Sequence, residues 1–152
     1  MLHELLNDLI DKNRKQAEAL KNVIDVLEKE KQALKENKPE LLTDLLNKLQ
    51  QVTASAMIAE AERAKAAEAL ASFLKCKPVV KDICSHLEEK EANLLKASSA
   101  DLLKMVISIK QINYILSKQA EEHRFLAELI LERLKFMTSS SKDNALTVDR
   151  RV

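Results

Sequence analysis

Not one glycine occurs in the 152 residues, and that absence removes more folds than any other feature of the chain. Glycine supplies the positive φ of tight hairpin turns and the bare backbone of phosphate-cradling loops. Hairpin sheets and nucleotide-binding folds therefore have nothing to be built from. Only two prolines break the chain, and Leu, Ala, Glu and Lys dominate it; these are the strong helix formers. The expected fold class is all-α: an elongated antiparallel helical bundle or coiled coil of three long helices plus one short helix. A chain of this length is about one domain's worth.

The apolar residues place the helices. From Leu2 to about residue 36, Leu6, Leu20, Leu27 and Leu34 share one heptad position and Leu2, Leu9 and Val23 a neighbouring one. Asn13, Gln16 and Glu30 interrupt this seam. A helix of that length is on the order of 50 Å long, a rod suited to coiled-coil packing. It should stop at Asn37-Lys38-Pro39, because Asn tolerates the left-handed C-terminal position and Pro suits the first position of a helix. The second helix, about residues 40–75, carries Leu42, Leu45, Leu49, Val52, Ala56, Ala59, Ala66, Leu70 and Phe73, with Arg63 the polar exception. Nine alanines lie between Ala54 and Ala71. They permit close backbone approach but bury little area, so that end is expected to be the less stable one. Lys77-Pro78 breaks the helix, and a short one follows at about residues 79–87, with Val80, Ile83, Cys84 and Leu87 on one side.

The last helix ends near Met137. It starts either near Glu89 or at Ser99, where a serine cap and Asp101 in the first turn would suit it. This helix is apolar on too many sides. At 100° per residue, Leu102, Met105, Val106, Ile109, Ile112, Leu116, Leu126, Ile130, Leu134 and Met137 form one broad stripe. Leu103, Ile107, Tyr114, Phe125, Leu129 and Phe136 form a second, roughly 160° away. One neighbour cannot bury both. Either the helix lies in the middle of a bundle, or one stripe is left for a partner. The second stripe holds two of the three phenylalanines and the only tyrosine, and aromatic anchors are enriched where proteins meet. The tail, residues 138–152, is Ser-rich, has no aromatic residue, and is expected to be flexible.

Catalytic and metal chemistry find little to work with. His3, His86 and His123 have no His or Cys three or four residues away, and Cys84 and His86, two apart, would point to different helix faces. Glu121, Glu122, Glu128 and Glu132 lack the inward Glu-x-x-His motif of di-metal bundles and read as a solvated charged face. No nucleophile elbow exists without glycine. The chain is expected to be a non-enzyme with no cofactor and no metal. Cys76 and Cys84 read as unpaired thiols. A net charge of +1 with interspersed signs gives no footprint for nucleic acid. No apolar run approaches the roughly 20 residues of a membrane span, and the acidic start MLHELLNDLIDK is unlike a signal peptide. The protein is expected to be cytoplasmic.

The order of segments resembles the FlgN family of flagellar export chaperones. The resemblance rests on VIDVLEKEKQALKENKPELLTDLLNKLQQV across the first break, KPVVKDICSHLEE around the short helix and IKQINYILSKQ in the last helix, and it covers about residues 2–137. It implies a chaperone that binds hook-associated, filament-junction proteins through their C-terminal helices, prevents premature assembly and delivers them to the type III export apparatus. It also implies one long final helix from near Glu89, a single helical domain over 1–137, and partner binding on that helix. The residues expected to bind are Leu103, Ile107, Tyr114, Phe125, Leu126, Leu129, Ile130, Phe136 and Met137. Two other classes stay open: a structural or oligomeric coiled-coil protein, since heptad seams serve hairpins and homo-oligomers equally, and a helical adaptor of another secretion system.

Overall fold

The computed structural model describes residues 1–138, apart from the side chains of Leu126, Phe136, Met137 and Thr138. All but the first residue of the tail expected to be flexible lies outside the described residues. Four α-helices follow one another: α1 (Leu2–Lys35), α2 (Leu42–Leu74), α3 (Val80–Cys84) and α4 (Glu89–Thr138), with a 3₁₀ turn at Pro39–Leu41 between the first two. No strand occurs among the described residues, so the fold is the all-α helical bundle that the composition calls for. The final helix begins at Glu89 and runs through Ser98 and Ser99 without a break.

Both long-helix ends close by the same device. Asn37 sits at φ 56°; its N–H donates to Leu34 O and that of Lys38 to Ala33 O. At the end of α2, Lys75 takes φ 57°, the Lys75 N–H donates to Ser72 O and the Cys76 N–H to Ala71 O. These are the paired bonds that cap the last carbonyls of a helix when the next residue turns left-handed. Asn is well suited to that conformation. Lys75 holds it against the usual Cβ penalty, and nothing in its side chain announces the role.

Two units are distinguished along the chain, Met1–Ile115 and the segment from Leu116 onward. In the first, α1 and α2 lie antiparallel, as Lys12–Glu62 (4.0 Å) and Gln16–Glu60 (3.4 Å) show. The first part of α4 runs parallel to α1: His3 Nδ1 is 3.0 Å from Glu91 Oε2, and Asn13 Nδ2 donates to Ser98 Oγ at 3.0 Å. The core gathers Leu6, Leu9 and Ile10 of α1, Ala66, Ala67, Leu70 and Ala71 of α2, Ile83 and Cys84 of α3, and Ala92 and Leu95 of α4. Each buried leucine there contributes about 1.5–3 kcal/mol relative to an exposed one.

The alanine-rich end of α2 is where four helices converge, and Ala66, Ala67, Leu70 and Ala71 are all buried there. The leucine-rich start of α2, by contrast, buries no residue before Ala56. Small side chains give up area, but here they let three neighbours close in together, and Leu70 is driven to 0% exposure. Phe73, placed on the apolar stripe by its spacing, is 46% exposed, while Leu74 beside it packs against the core.

The three polar interruptions of the α1 seam are buried rather than turned outward: Asn13 at 2%, Gln16 at 6% and Glu30 at 7% exposure. Burial pushes the Glu30 carboxyl above the usual carboxylate range, and its Oε1 finds no hydrogen-bond partner among the described residues. A carboxyl whose folded pKa is raised favours the fold fully below its unfolded pKa, and that advantage is lost as the pH rises through the folded pKa. Glu30→Gln is therefore expected to melt at a higher temperature than wild type at pH 7. The gap should close as both are titrated below about 4.3, where the wild-type side chain is neutral too. A gap constant with pH would show that the charge is not the cause.

Candidate partner-binding site

In the first unit, α4 sorts its two apolar stripes. Leu102, Met105 and Ile109 are half-buried and Ile112 is 5% exposed, so this stripe is the one turned to α1 and α2. Val106 departs from it at 37% exposure, because it lies at the stripe's edge. Leu103, Ile107 and Tyr114 stay exposed, at 60%, 45% and 65%. They are spaced by four and seven residues, so they share one face. An aromatic and two aliphatic side chains on one face can cover another apolar helix.

In the second unit, described from Leu116 to Thr138, α4 is the only element among the described residues. Phe125 (62%), Leu129 (41%), Ile130 (60%) and Leu134 (50%) are all exposed. Ile130 and Leu134 belong by period to the broad stripe. Around them the surface is charged and self-paired, with Lys118–Glu121 at 3.4 Å and Arg124–Glu128 at 3.5 Å. Exposed pairs of this kind add little stability but frame the apolar strip. Of the nine residues expected to bind a partner, six are exposed on α4, while the side chains of Leu126, Phe136 and Met137 lie outside the described residues.

One feature escaped the periodicity. A groove of about 620 Å³ opens within the first unit between α1, α2 and α4, walled by Leu20 and Leu27 of α1, Leu49, Met57 and Ala61 of α2 and Ile109 of α4. The alanine run hinted at close approach, but the unfilled space could not be read from it. At one end Gln16 Nε2 donates to Glu60 Oε2, and Arg63 clamps the same carboxylate with Nε at 2.8 Å and a terminal nitrogen at 2.6 Å. The guanidinium holds Glu60 below the usual carboxylate range.

Elsewhere the chemistry is quiet. Cys76 and Cys84 are free thiols; burial pushes the Cys84 thiol up, away from the thiolate that reacts. Among the described residues no three His, Cys, Asp or Glu side chains gather as metal ligands, and no helix is long and apolar enough to cross a membrane.

No curated protein sequence and no solved structure shows significant similarity to this chain. The profile of the family described as FlgN protein matches residues 1–146. All of the described residues, including every exposed apolar residue of α4 named above, fall inside that match. The chain belongs to the FlgN family, the flagellar export chaperones.

Proposed function

We propose that this protein is a cytoplasmic export chaperone that holds the C-terminal helices of hook-associated flagellar proteins on α4, keeps them from assembling early and hands them to the export apparatus. The observation that carries this reading is the exposure of Phe125, Leu129 and Ile130 together on one helix. Client ends that pair with one another in the filament are amphipathic helices, and a helix with an uncovered apolar strip is their natural cover. By period Phe136 falls on the stripe of Phe125 and Leu129, and Leu126 and Met137 on the broad stripe with Ile130. Leu103, Ile107 and Tyr114 offer a further apolar face to the same client. Capture of this kind needs no nucleotide: release follows when a competing surface takes one of the two helices.

The test replaces Phe125 and Leu129 together by glutamate. Both are exposed, so the far-UV circular dichroism and melting temperature should not change. The affinity for a purified hook-associated client, measured by calorimetry, should fall at least tenfold, about 1.4 kcal/mol. Wild-type affinity in a folded double variant would move the site off this face. Loss of self-association, with client binding intact, would instead favour the structural coiled-coil reading.

A further inference from the structure

The outward side of α2 lacks what an exposed helix face ordinarily carries. From Leu49 to Ala59 there is no Asp, Glu, Lys or Arg, the longest such stretch in the chain. Yet Gln51, Ala54, Ser55 and Ile58 within it are all exposed, Ile58 at 64%. Solvated helix faces are normally charged. A patch depleted of charge at its centre and bounded by charge at its rim has the make-up of a protein–protein interface, and this one lies wholly within the first unit.

The charges at the two ends of the stretch identify the partner. Asp44 and Lys48 precede it, Glu62 and Lys65 follow it, and all four are exposed. At 100° per residue they share with Gln51, Ser55 and Ile58 one stripe roughly 100° wide. Along the chain their signs run minus, plus, minus, plus. Read backwards the order inverts, so a second copy of α2 laid antiparallel sets Asp44 against Lys65 and Lys48 against Glu62. A parallel copy in register would set like against like, which repels.

Position agrees with sign. The midpoint of Asp44 and Lys65 falls between Ala54 and Ser55, and that of Lys48 and Glu62 falls at Ser55. Both pairs therefore call for the same two-fold axis, and it passes through the middle of the uncharged stretch. Ala54 and Ser55, at the axis, are small enough for two helices to approach closely. Gln51 then lies opposite Ile58 of the second copy, and its stem can cover that side chain. The charges are also free to pair: Asp44, Lys48 and Lys65 make no ion pair among the described residues, and Glu62 reaches Lys12 only at 4.0 Å.

We propose that the chain forms a two-fold dimer through this face, α2 packing antiparallel against α2 of a second copy about an axis at Ala54 and Ser55. The interface is isologous, so each ion pair occurs twice. The uncharged centre supplies the burial, and the paired ends set direction and register.

Analytical ultracentrifugation of the full chain should show a monomer–dimer equilibrium that shifts with concentration. Ile58→Lys, at an exposed position, should keep the helix content and weaken the dimer at least about tenfold. Lys65→Asp sets two aspartates against each other at both ends of the interface and should weaken it by a similar factor. Asp44→Lys combined with Lys65→Asp restores opposite signs and should recover most of that loss, which an effect on the monomer alone would not do. A chain that stays monomeric at millimolar concentration overturns the proposal, as does a dimer indifferent to Ile58→Lys or a double reversal without rescue. A dimer that is lost instead in the Phe125→Glu, Leu129→Glu variant puts the self-association on α4, and the α2 interface fails.

Discussion

Leu95→Ala is expected to cost the fold about 3 kcal/mol, while the same change one residue earlier, Leu94→Ala, should cost less than about 1 kcal/mol. Leu95 is 0% exposed and packs in the cluster that joins Leu6, Leu9 and Ile10 of α1 to Leu70 of α2. Removing its side chain loses transfer free energy and leaves a hole, because helices converging on a shared core collapse only in part. Leu94 is 50% exposed and has little to lose. The melting temperature should drop on the order of 10 °C for Leu95→Ala and by a fraction of that for Leu94→Ala. Urea unfolding followed by circular dichroism gives both numbers from one pair of proteins. Equal losses would mean that the first turns of α4 do not pack as described. Leu70→Ala, at the other side of the same cluster, should match Leu95→Ala.

Asn13→Asp is the second large effect. Asn13 is 2% exposed, and its Nδ2 donates to Ser98 Oγ at 3.0 Å and reaches Ser99 Oγ at 3.5 Å. The substitution keeps the shape, removes both donors and puts a carboxylate into the seam between α1 and α4. An uncompensated buried charge costs several kcal/mol. The two serine hydroxyls can turn to donate to the new carboxylate, so a loss of about 2–3 kcal/mol at pH 7 is expected. The sign of the pH dependence follows: desolvation raises the folded pKa of the new acid above its unfolded value. The loss therefore shrinks as the pH falls through that raised value, and it is fully relieved below the unfolded one. Asn13→Leu provides the contrast. It removes both the donor and Oδ1, which has no hydrogen-bond partner among the described residues, and Ser98 Oγ keeps its bond to Leu95 O, so stability should change little. Should Asn13→Leu prove as damaging as Asn13→Asp, the polar contact rather than the buried charge would be what the fold depends on.

Both predictions concern residues whose roles are unequally visible in the chain itself. Leu95 lies seven residues before Leu102, in phase with the broad stripe of α4. Asn13, Gln16 and Glu30 read as interruptions of a seam, yet all three are buried within it. Periodicity reports which face a position occupies, whereas whether a polar group there is turned to solvent or to a partner depends on what lies across the interface. Asn13 is held by Ser98, 85 residues away, and no local pattern contains that distance. Lys75 shows the same limit at a helix end: its left-handed backbone is imposed by the chain turning towards α3, not by its side chain.

The candidate site divides along the same line. Leu103, Ile107, Tyr114, Phe125, Leu129 and Ile130 were identifiable because a helix with two apolar stripes cannot bury both against one neighbour. Their exposure then depended on which stripe met α1 and α2, and in the first unit the half-buried Leu102, Met105 and Ile109 with the buried Ile112 answer that. The groove by contrast is a void, and a void is made by helices whose side chains do not meet.

By itself, the sequence determined that this chain is helical, where its first two long helices begin and end, and which family it resembles, because helix propensity, capping and the 3.6-residue period act between near neighbours. The tertiary structure alone decided that the alanine-rich end of α2 lies in the buried cluster shared by all four helices. It also decided that three polar side chains lie inside the seam and that a trough remains between α1, α2 and α4. Each of these is set by the distance between helices far apart in the chain, a quantity that composition and spacing do not contain.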